Sequence, residues 1–258
     1  MQIKAFILDI DGVIWRDKFP IGDLESLFHT IRKAGILYSF ATNNSTKTKA
    51  TYLELLNGFG IPVTEEQMFT SGSVTAEILS DELPVGSELF VIGMAGLKET
   101  LKAARFQIGN RSPSAVVVGL DENVTYQDIK IAADLARDGI PFIGTNPDVS
   151  LPTPSGFNPG TGSILAAIEA ASGVQPRIIG KPQPTIFISA LRSMDTLPQE
   201  TLVIGDRLST DIAGGQNAGC KVGCVLTGVA TRNEASAWLP KIDLISKDLT
   251  TLVEVLNE

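Results

Sequence analysis

The chain has 258 residues, of which 43% are hydrophobic and 19% are charged, a balance that favours one or two globular domains over a disordered chain. Its formal net charge of -8 argues against nucleic acid or an anionic membrane as a partner, because phosphate backbones are bound by clustered lysines and arginines. The only histidine, His29, is predicted to be a surface or boundary residue of an amphipathic helix, and serine-hydrolase triads and histidine-based zinc sites are therefore excluded.

Short apolar runs alternate with helical patterns along the first part of the chain. We predict a strand at 4–10, a helix near 23–34, a strand at 36–41 and a helix near 46–57. In the first helix, apolar residues recur at helical spacing, Asp23 can cap the start and Gly35 can end it. This alternation is typical of parallel βα units.

The middle of the chain has an alternation of its own. The pattern predicts strands at 88–93, 115–120 and 141–144, and helices near 95–104, at 125–137 and from Thr161 to Ser172. The Pro- and Gly-rich stretch 145–162 is long for a compact connection, so it is either a functional loop or an excursion over a surface. This part of the chain can bury its own core, and we place an inserted domain at 83–178.

The C-terminal part returns to the first pattern. It predicts a helix from Pro184 to Met194, a strand at 201–205, a helix near 209–218, a strand at 221–228 and a final helix from Asp248. The sequence therefore predicts a doubly wound parallel α/β sheet with an inserted α/β cap domain. The sheet would be formed by residues 1–82 and 179–258.

Neither a membrane segment nor a disulfide framework is expected. No apolar run approaches the roughly 18 residues that a spanning helix needs, and the acidic pair near residue 10 is unlike a signal peptide. We therefore expect a cytoplasmic protein. Cys220 and Cys224 match neither a CxxC redox pair nor a zinc knuckle and are predicted to be buried packing residues.

Two aspartates follow the first predicted strand, in ILDIDGV (7–13). Side chains alternate along a strand, so Asp9 and Asp11 are expected to share a face. Neighbouring carboxylates repel, which can leave one a nucleophile and the other able to hold a proton, unless a cation neutralises both. A hard divalent ion such as Mg²⁺ suits that arrangement. For such a pair alone, one aspartate capping a turn is the simpler interpretation.

Polar side chains follow the next strand, in SFATNNSTK (39–47). Thr42, Asn43 and Asn44 bring hydroxyl, amide and backbone N–H groups to a helix N-terminus, where they can form an uncharged anion cradle. Ser45 or Thr46 capping the following helix explains the same stretch equally well.

A lysine and two more aspartates complete the set of polar groups at loop positions. Lys181, in IIGKPQP (178–184), precedes a helix and can present its ammonium to a phosphoryl oxygen, although a solvated lysine is the simpler interpretation of this motif alone. Asp206 and Asp211, in LVIGDRLSTDIAGG (202–215), bring two carboxylates to another strand end. Capping explains each motif by itself but does not explain all four together.

In this order the four groups resemble the haloacid dehalogenase (HAD) superfamily of phosphotransferases. The matching motifs are DIDG (9–12), TNN (42–44), GKP (180–182) and GDRLSTD (205–211). The segment between the second and third motifs is similar to the large cap of the p-nitrophenyl-phosphatase-like, or NagD-type, branch. The resemblance covers nearly the whole chain.

The resemblance implies roles for the acidic residues. Asp9 would be the nucleophile and a metal ligand. Asp11 would be the general acid and base and would bind the metal through its backbone carbonyl. Asp206 would complete a Mg²⁺ site, and Asp211 would support that site without binding the ion.

The resemblance also implies how phosphate is held and what is hydrolysed. Thr42, Asn43 and Asn44 would bind the phosphate, and Lys181 would steady the nucleophile and the transferring group. The expected activity is Mg²⁺-dependent hydrolysis of small phosphate monoesters, such as sugar phosphates or nucleotides, through an aspartyl phosphate. In vitro, p-nitrophenyl phosphate should serve as a substrate.

Two alternatives stay open at this point. A phosphomutase shares the four motifs, and a module that binds or senses a phosphorylated metabolite without turnover needs only some of them. As partners we expect a small phosphorylated metabolite, neither nucleic acid nor a membrane, and we allow for a homo-oligomer formed through the cap.

Overall fold

The computed structural model describes residues 3–16, 19–153 and 156–257. Strands β1 to β15 span, in order, Ala5–Leu8, Trp15–Arg16, Phe19–Pro20, Leu37–Thr42, Met68–Thr70, Glu88–Ile92, Gln107–Ile108, Ala115–Val118, Phe142–Gly144, Ser150–Thr153, Gly156–Pro159, Arg177–Ile178, Thr201–Gly205, Lys221–Val225 and Leu244–Ser246. Helices α1 to α10 span, in order, Leu24–Lys33, Lys49–Gly58, Ser71–Glu82, Ala95–Ala103, Tyr126–Arg137, Thr161–Ser172, Thr185–Met194, Ala213–Asn217, Arg232–Ala237 and Leu249–Asn257. Two 3₁₀ turns and a π-helical turn span Glu65–Gln67, Pro198–Glu200 and Leu208–Ile212.

The first compact unit consists of Met1–Thr42, Lys49–Phe69 and Lys181–Glu258. Its sheet, as far as the residues are described, has the order β15-β14-β13-β1-β4-β5, and β1 pairs in parallel with both β13 and β4. Strands β4 and β5 follow on one side of β1, whereas β13, β14 and β15 follow on the other side, so the strand order reverses at β1. Ligands bind at the carboxyl ends of strands beside such a reversal. The predicted parallel α/β fold is confirmed.

Helix α1 forms where its pattern predicts. The Asp23 carboxylate accepts a hydrogen bond from the Ser26 N–H (3.1 Å), which satisfies one of the free donors at the helix start. Gly35, just beyond the end, has φ of +72°. The apolar stripe of the helix is buried in the core, at Leu24, Leu27, Phe28 and Ile31.

The second compact unit consists of Asn43–Thr48 and Thr70–Gly180. Its described strands form a sheet of order β12-β9-β8-β6-β7 and a separate antiparallel hairpin of β10 and β11. Helices α5 and α6 pack on the sheet around a separate apolar core, which includes Phe90, Val116, Val118, Phe142 and Ile168. The expectation that the middle of the chain buries its own core is thereby confirmed.

Three segments that were predicted to belong to the core, 43–48, 70–82 and 179–180, belong to the second unit. Helix α3 belongs to the second unit because it packs on α4, where a Cβ added to Gly72 would lie 3.3 Å from a Leu97 methyl group. The buried face of α3 includes small and polar residues such as Ser71 and Thr75, so hydropathy did not reveal that it packs on α4. The assignment of 1–82 and 179–258 to a core and 83–178 to a cap stays a prediction.

The stretch 145–162, predicted to be a functional loop or surface excursion, contains the hairpin of β10 and β11, of which residues 154 and 155 lie outside the described part of the chain. Cys220 and Cys224 are free and buried, as predicted, and His29 is exposed. Among the described helices, none is long and apolar enough to cross a membrane.

Candidate active site

Three neighbouring strands of the first sheet end at predicted site residues. Asp9 directly follows β1, Asp206 directly follows β13, and Thr42 is the last residue of β4. The last residue of β1 is in parallel register with residues of β4 and β13. Because parallel strands point the same way, all three residues lie at the carboxyl edge of the sheet.

The Lys181 side chain is buried at this edge, with only 3% of its surface exposed. Its ammonium donates hydrogen bonds to Asp9 Oδ1 (2.7 Å), to Asp211 Oδ1 (2.6 Å) and to the Ala41 carbonyl oxygen (2.9 Å). These acceptors use all three N–H donors of the ammonium. The interpretation of Lys181 as a solvated surface residue is therefore wrong.

The electrostatics of the cluster leave negative charge in excess. Burial would lower the pKa of Lys181, but the charges of Asp211 and Asp9 outweigh it and raise that pKa, so the ammonium stays charged. Burial and the charge of Asp211 raise the pKa of Asp9 well above its ordinary value, against the opposing effect of Lys181. The same two causes raise the pKa of Asp206 to about 6. Among the described residues, the Lys181 ammonium and the charge of Arg207, which lowers the pKa of Asp206, thus face three carboxylates.

This donor set fits a hard divalent cation. Carboxylate oxygens of Asp9, Asp206 and Asp211 lie within 4.8 Å of one another, and oxygen ligands are those that Mg²⁺ prefers. Asp211 is the least available of the three, because Lys181 donates to its Oδ1 and the Arg207 N–H donates to its Oδ2 (3.1 Å). The geometry favours Asp9 and Asp206 as ligands and Asp211 as the residue that orients Lys181.

Two glycines leave room for the Asp206 carboxylate. The Val229 N–H donates to Asp206 Oδ2 (2.7 Å), which fixes the side-chain rotamer. A Cβ added to Gly228 would lie 1.8 Å from that same oxygen, and one added to Gly12 would lie 2.6 Å from it. Gly12 also has φ of +83°, a conformation that favours glycine. The loop 227–229 was not identified from the sequence. The one signal that could have identified it is its position just after strand β14, at the carboxyl edge of the sheet.

Asp11 lies in a turn and not in a strand. Strand β1 ends at Leu8, shorter than the predicted strand 4–10, so strand alternation does not determine the direction of the Asp11 side chain. Asp11 is exposed, and its Oδ1 accepts a hydrogen bond from the indole N–H of Trp15 (2.8 Å). This bond was not predicted from the sequence.

Thr42 is buried beside an aromatic side chain. Its side chain lies near the Tyr52 phenol and lowers the pKa of that phenol, against the effects of burial and of the Asp11 charge. Burial is the larger cause and raises the pKa of Tyr52, so the phenol stays protonated.

Asn43 and Asn44 follow Thr42 in the chain but belong to the second unit. The Asn43 amide donates to Asp148 Oδ2 (2.9 Å), and the Asn43 carbonyl accepts from the Asn146 amide (2.7 Å). The Asn44 carboxamide oxygen accepts from the Thr46 N–H (2.9 Å) and hydroxyl (2.7 Å). The cap of this turn is thus Asn44 itself, and the phosphate-binding role predicted for both asparagines remains a prediction.

Comparison with known proteins adds an independent line of support. A family model described as haloacid dehalogenase-like hydrolase matches residues 6–107, and one described as HAD-hydrolase-like matches 178–252. The 5'-nucleotidase YutF of Bacillus subtilis (strain 168) is 36% identical over 238 residues, which cover 92% of this chain and 93% of the relative.

Solved structures share the whole fold. The p-nitrophenyl phosphatase from Archaeoglobus fulgidus superposes with a TM-score of 0.93 at 31% identity, over 99% of this chain and 100% of that one. The glycerol phosphate phosphatase of Mycobacterium tuberculosis, solved in complex with magnesium, has a TM-score of 0.89 at 31% identity, over 97% of this chain and 76% of that one. The predicted resemblance is confirmed, and the chain belongs to the haloacid dehalogenase-like hydrolases.

Proposed function

We propose that the chain is a Mg²⁺-dependent phosphatase that hydrolyses small phosphate monoesters. The observation that carries the proposal is the buried Lys181 ammonium, bonded to Asp9 and Asp211. Buried ion pairs contribute little net stability, because the cost of desolvation offsets their attraction. A structural role therefore does not account for these charges, whereas phosphoryl transfer requires both an attacking group and positive charge near the phosphoryl oxygens.

The metal would be held by the Asp9 and Asp206 carboxylates and by the backbone carbonyl of Asp11. When bound, Mg²⁺ would neutralise the excess of carboxylate charge and supply positive charge to the phosphoryl oxygens. Asp211 would keep Lys181 oriented. A module that only binds phosphate would gain nothing from these carboxylates, since they repel the anion.

Asp9 would attack phosphorus, forming an aspartyl phosphate as the bond from phosphorus to the ester oxygen breaks. Asp11 would give its proton to that departing oxygen. In the second step Asp11 would take a proton from the water that attacks phosphorus, which releases inorganic phosphate and restores Asp9. General acid and base catalysis of this kind contributes about 10²- to 10⁴-fold in rate. Lys181 would steady Asp9 and the transferring group throughout.

Thr42, Asn43 and Asn44 would bind the phosphate oxygens, with backbone N–H groups as well as side chains. In the second unit, the hydrogen bonds from Asn146 and to Asp148 fix the conformation of Asn43. We propose that residues 83–178 select the ester while residues 1–82 and 179–258 perform the chemistry, because all four motifs lie outside 83–178. Small phosphorylated metabolites are the proposed substrates, and the cytoplasm is the proposed location.

Turnover of a panel of phosphate esters, with p-nitrophenyl phosphate included, tests the proposal. The purified chain should release inorganic phosphate with Mg²⁺, lose the activity in EDTA and recover it when Mg²⁺ is restored. Asp9→Asn should leave only trace turnover. The matched control Asp81→Asn, an exposed residue of α3, should keep the wild-type rate.

The products and the metal requirement separate the alternatives. A phosphomutase would return an isomeric phosphate ester, and a binding module would bind the ester without releasing phosphate. Activity that survives exhaustive chelation would show that the metal assignment is wrong. An unchanged rate in Asp9→Asn would show that Asp9 is not the nucleophile.

A further inference from the structure

The hydrogen bond between the Trp15 indole and Asp11 joins a buried residue to an exposed one. Trp15 is 6% exposed, whereas Asp11 is exposed, and Trp15 Nε1 lies 2.8 Å from Asp11 Oδ1. The indole N–H can only donate, so its partner must be an acceptor. The bond therefore holds Oδ1 of the carboxylate as an acceptor and does not engage Oδ2.

The donor itself is held firmly in place. The backbone of the turn closes on Trp15, since its carbonyl accepts from the Gly12 N–H (2.8 Å) and its N–H donates to the Ile10 carbonyl (3.3 Å). Its ring stacks on Tyr52, with centroids 6.3 Å apart and planes 7° apart, and meets Phe59 at 5.8 Å. The direction of the N–H is thus set by packing in the core and not by the exposed carboxylate.

Trp15 contacts two parts of the predicted site. Its N–H donates to Asp11, and its ring packs on Tyr52, whose phenol lies near Thr42 at the end of β4. A side chain on a solvent-facing turn samples several rotamers unless a bond selects one. Catalytic groups must be held within about 0.5 Å of their productive geometry, so the freedom of an unrestrained Asp11 would cost rate.

We propose that Trp15 is a positioning residue, whose indole N–H holds Asp11 in the orientation needed for proton transfer to the leaving group and from the attacking water. This inference rests on the proposed phosphatase function and adds to it the group that orients Asp11. Its signature is a dependence on the leaving group. An ester such as p-nitrophenyl phosphate loses its alcohol without protonation, whereas an alkyl phosphate needs the acid.

Trp15→Phe tests the proposal, because it removes the N–H and keeps an aromatic ring. Single-turnover phosphorylation by p-nitrophenyl phosphate should stay within about 3-fold of wild type, while phosphorylation by an alkyl phosphate should slow about 10- to 100-fold. Phosphoenzyme should also accumulate, because its hydrolysis needs Asp11 as base. Trp238→Phe is the matched control, since it removes an indole N–H that donates to Gln216 Oε1 (3.1 Å) and not to Asp11, and it should leave the ratio of the two phosphorylation rates unchanged.

A double-mutant cycle with Asp11→Asn separates positioning from packing. In the Asp11→Asn background, which lacks the general acid, adding Trp15→Phe should change the rate of phosphorylation by an alkyl phosphate by less than about 2-fold. An equal loss on both esters, or a full second loss in the Asp11→Asn background, would overturn the proposal, as would wild-type rates in Trp15→Phe. If wild type itself releases no phosphate from any ester, the proposed function fails first, so the two failures are distinguishable.

A second substitution guards against a folding defect in Trp15→Phe. The chain has two tryptophans, so in a Trp238→Phe background the Trp15 indole alone can be replaced by benzothiophene in a tryptophan auxotroph. Sulfur then replaces the N–H in a ring of the same shape. The same leaving-group dependence is expected, and rates equal to those of the Trp238→Phe parent on both esters would overturn the proposal.

Discussion

Lys181→Met should unfold far more easily than wild type in metal-free buffer. The change removes an ammonium with three hydrogen bonds of 2.6 to 2.9 Å and leaves its carboxylate partners buried. Removing one partner of a buried ion pair costs about 3–5 kcal/mol. We expect a loss of that size in the free energy of unfolding at pH 8, measured by urea denaturation with EDTA present.

The pH dependence of this loss has a definite sign. Without Lys181, burial and the charge of Asp211 act on Asp9 unopposed and raise its pKa further. A raised pKa in the folded state means that stability is present at low pH and is lost as the pH rises through that pKa. The deficit of Lys181→Met should therefore be smaller at pH 5 than at pH 8.

Two further variants test the electrostatic cause. Lys181→Met combined with Asp211→Asn should recover at least about 1 kcal/mol relative to Lys181→Met alone, because one uncompensated carboxylate is gone. Lys181→Arg keeps the charge but not its compact geometry, so it should lose activity more than stability. A deficit below about 1 kcal/mol in Lys181→Met, with no pH dependence, would refute the ion-pair network around Lys181.

Three other outcomes follow from the site. In metal-free buffer, the free energy of unfolding of Asp206→Asn should rise by about 1.4 kcal/mol relative to wild type between pH 5 and pH 8. The reason is that an aspartate with a pKa of about 6 when folded and about 3.9 when unfolded destabilises the folded state increasingly over that range. Urea denaturation at both pH values measures this difference, and a difference that stays constant would contradict the prediction. Gly228→Ala should weaken Mg²⁺ binding at least about 10-fold in calorimetry, because its Cβ would displace Asp206 Oδ2, whereas Gly58→Ala, with nothing within 4 Å, should bind as wild type does. Asn146→Ala, which loses the bond to the Asn43 carbonyl, should change kcat/KM among esters more than it changes the Mg²⁺ affinity, and an equal loss on all esters with weaker metal binding would show that this loop belongs to the chemical site.

The strand ends of the site were predictable from the sequence because each is a local pattern. An apolar run that stops at an aspartate marks Asp9 and Asp206 without knowledge of the fold. The partners of each residue were not predictable, because they are distant in sequence. Lys181 is 172 residues from Asp9, and its burial depends on the packing of the whole first unit.

Elements without a clear period were also missed. The hairpin of β10 and β11 lies in a Pro-rich stretch, and proline is usually confined to sheet edges, which weakens a strand prediction. The helix expected near 209–218 begins as a π-helical turn, in which the Ile212 N–H reaches the Arg207 carbonyl at 3.4 Å. A π-helical turn contains one more residue than an α-helical turn, and this single difference leaves the spacing of apolar residues almost unchanged. It nevertheless accompanies the placement of Asp211 against both Lys181 and the Arg207 N–H.

Asp9 is expected to carry the phosphoryl group between the two steps, and a quenched reaction of Asp11→Asn tests this most directly. Phosphorylation by p-nitrophenyl phosphate needs no acid, whereas hydrolysis of the intermediate needs a base, so the phosphoenzyme should accumulate. Mass spectrometry after acid quench should find one added phosphate on the peptide that contains Asp9. Two results together would contradict the assignment of Asp9 as the nucleophile. Asp11→Asn would release a burst of p-nitrophenol with no phosphate on that peptide, and Asp9→Asn would release a burst of the same size.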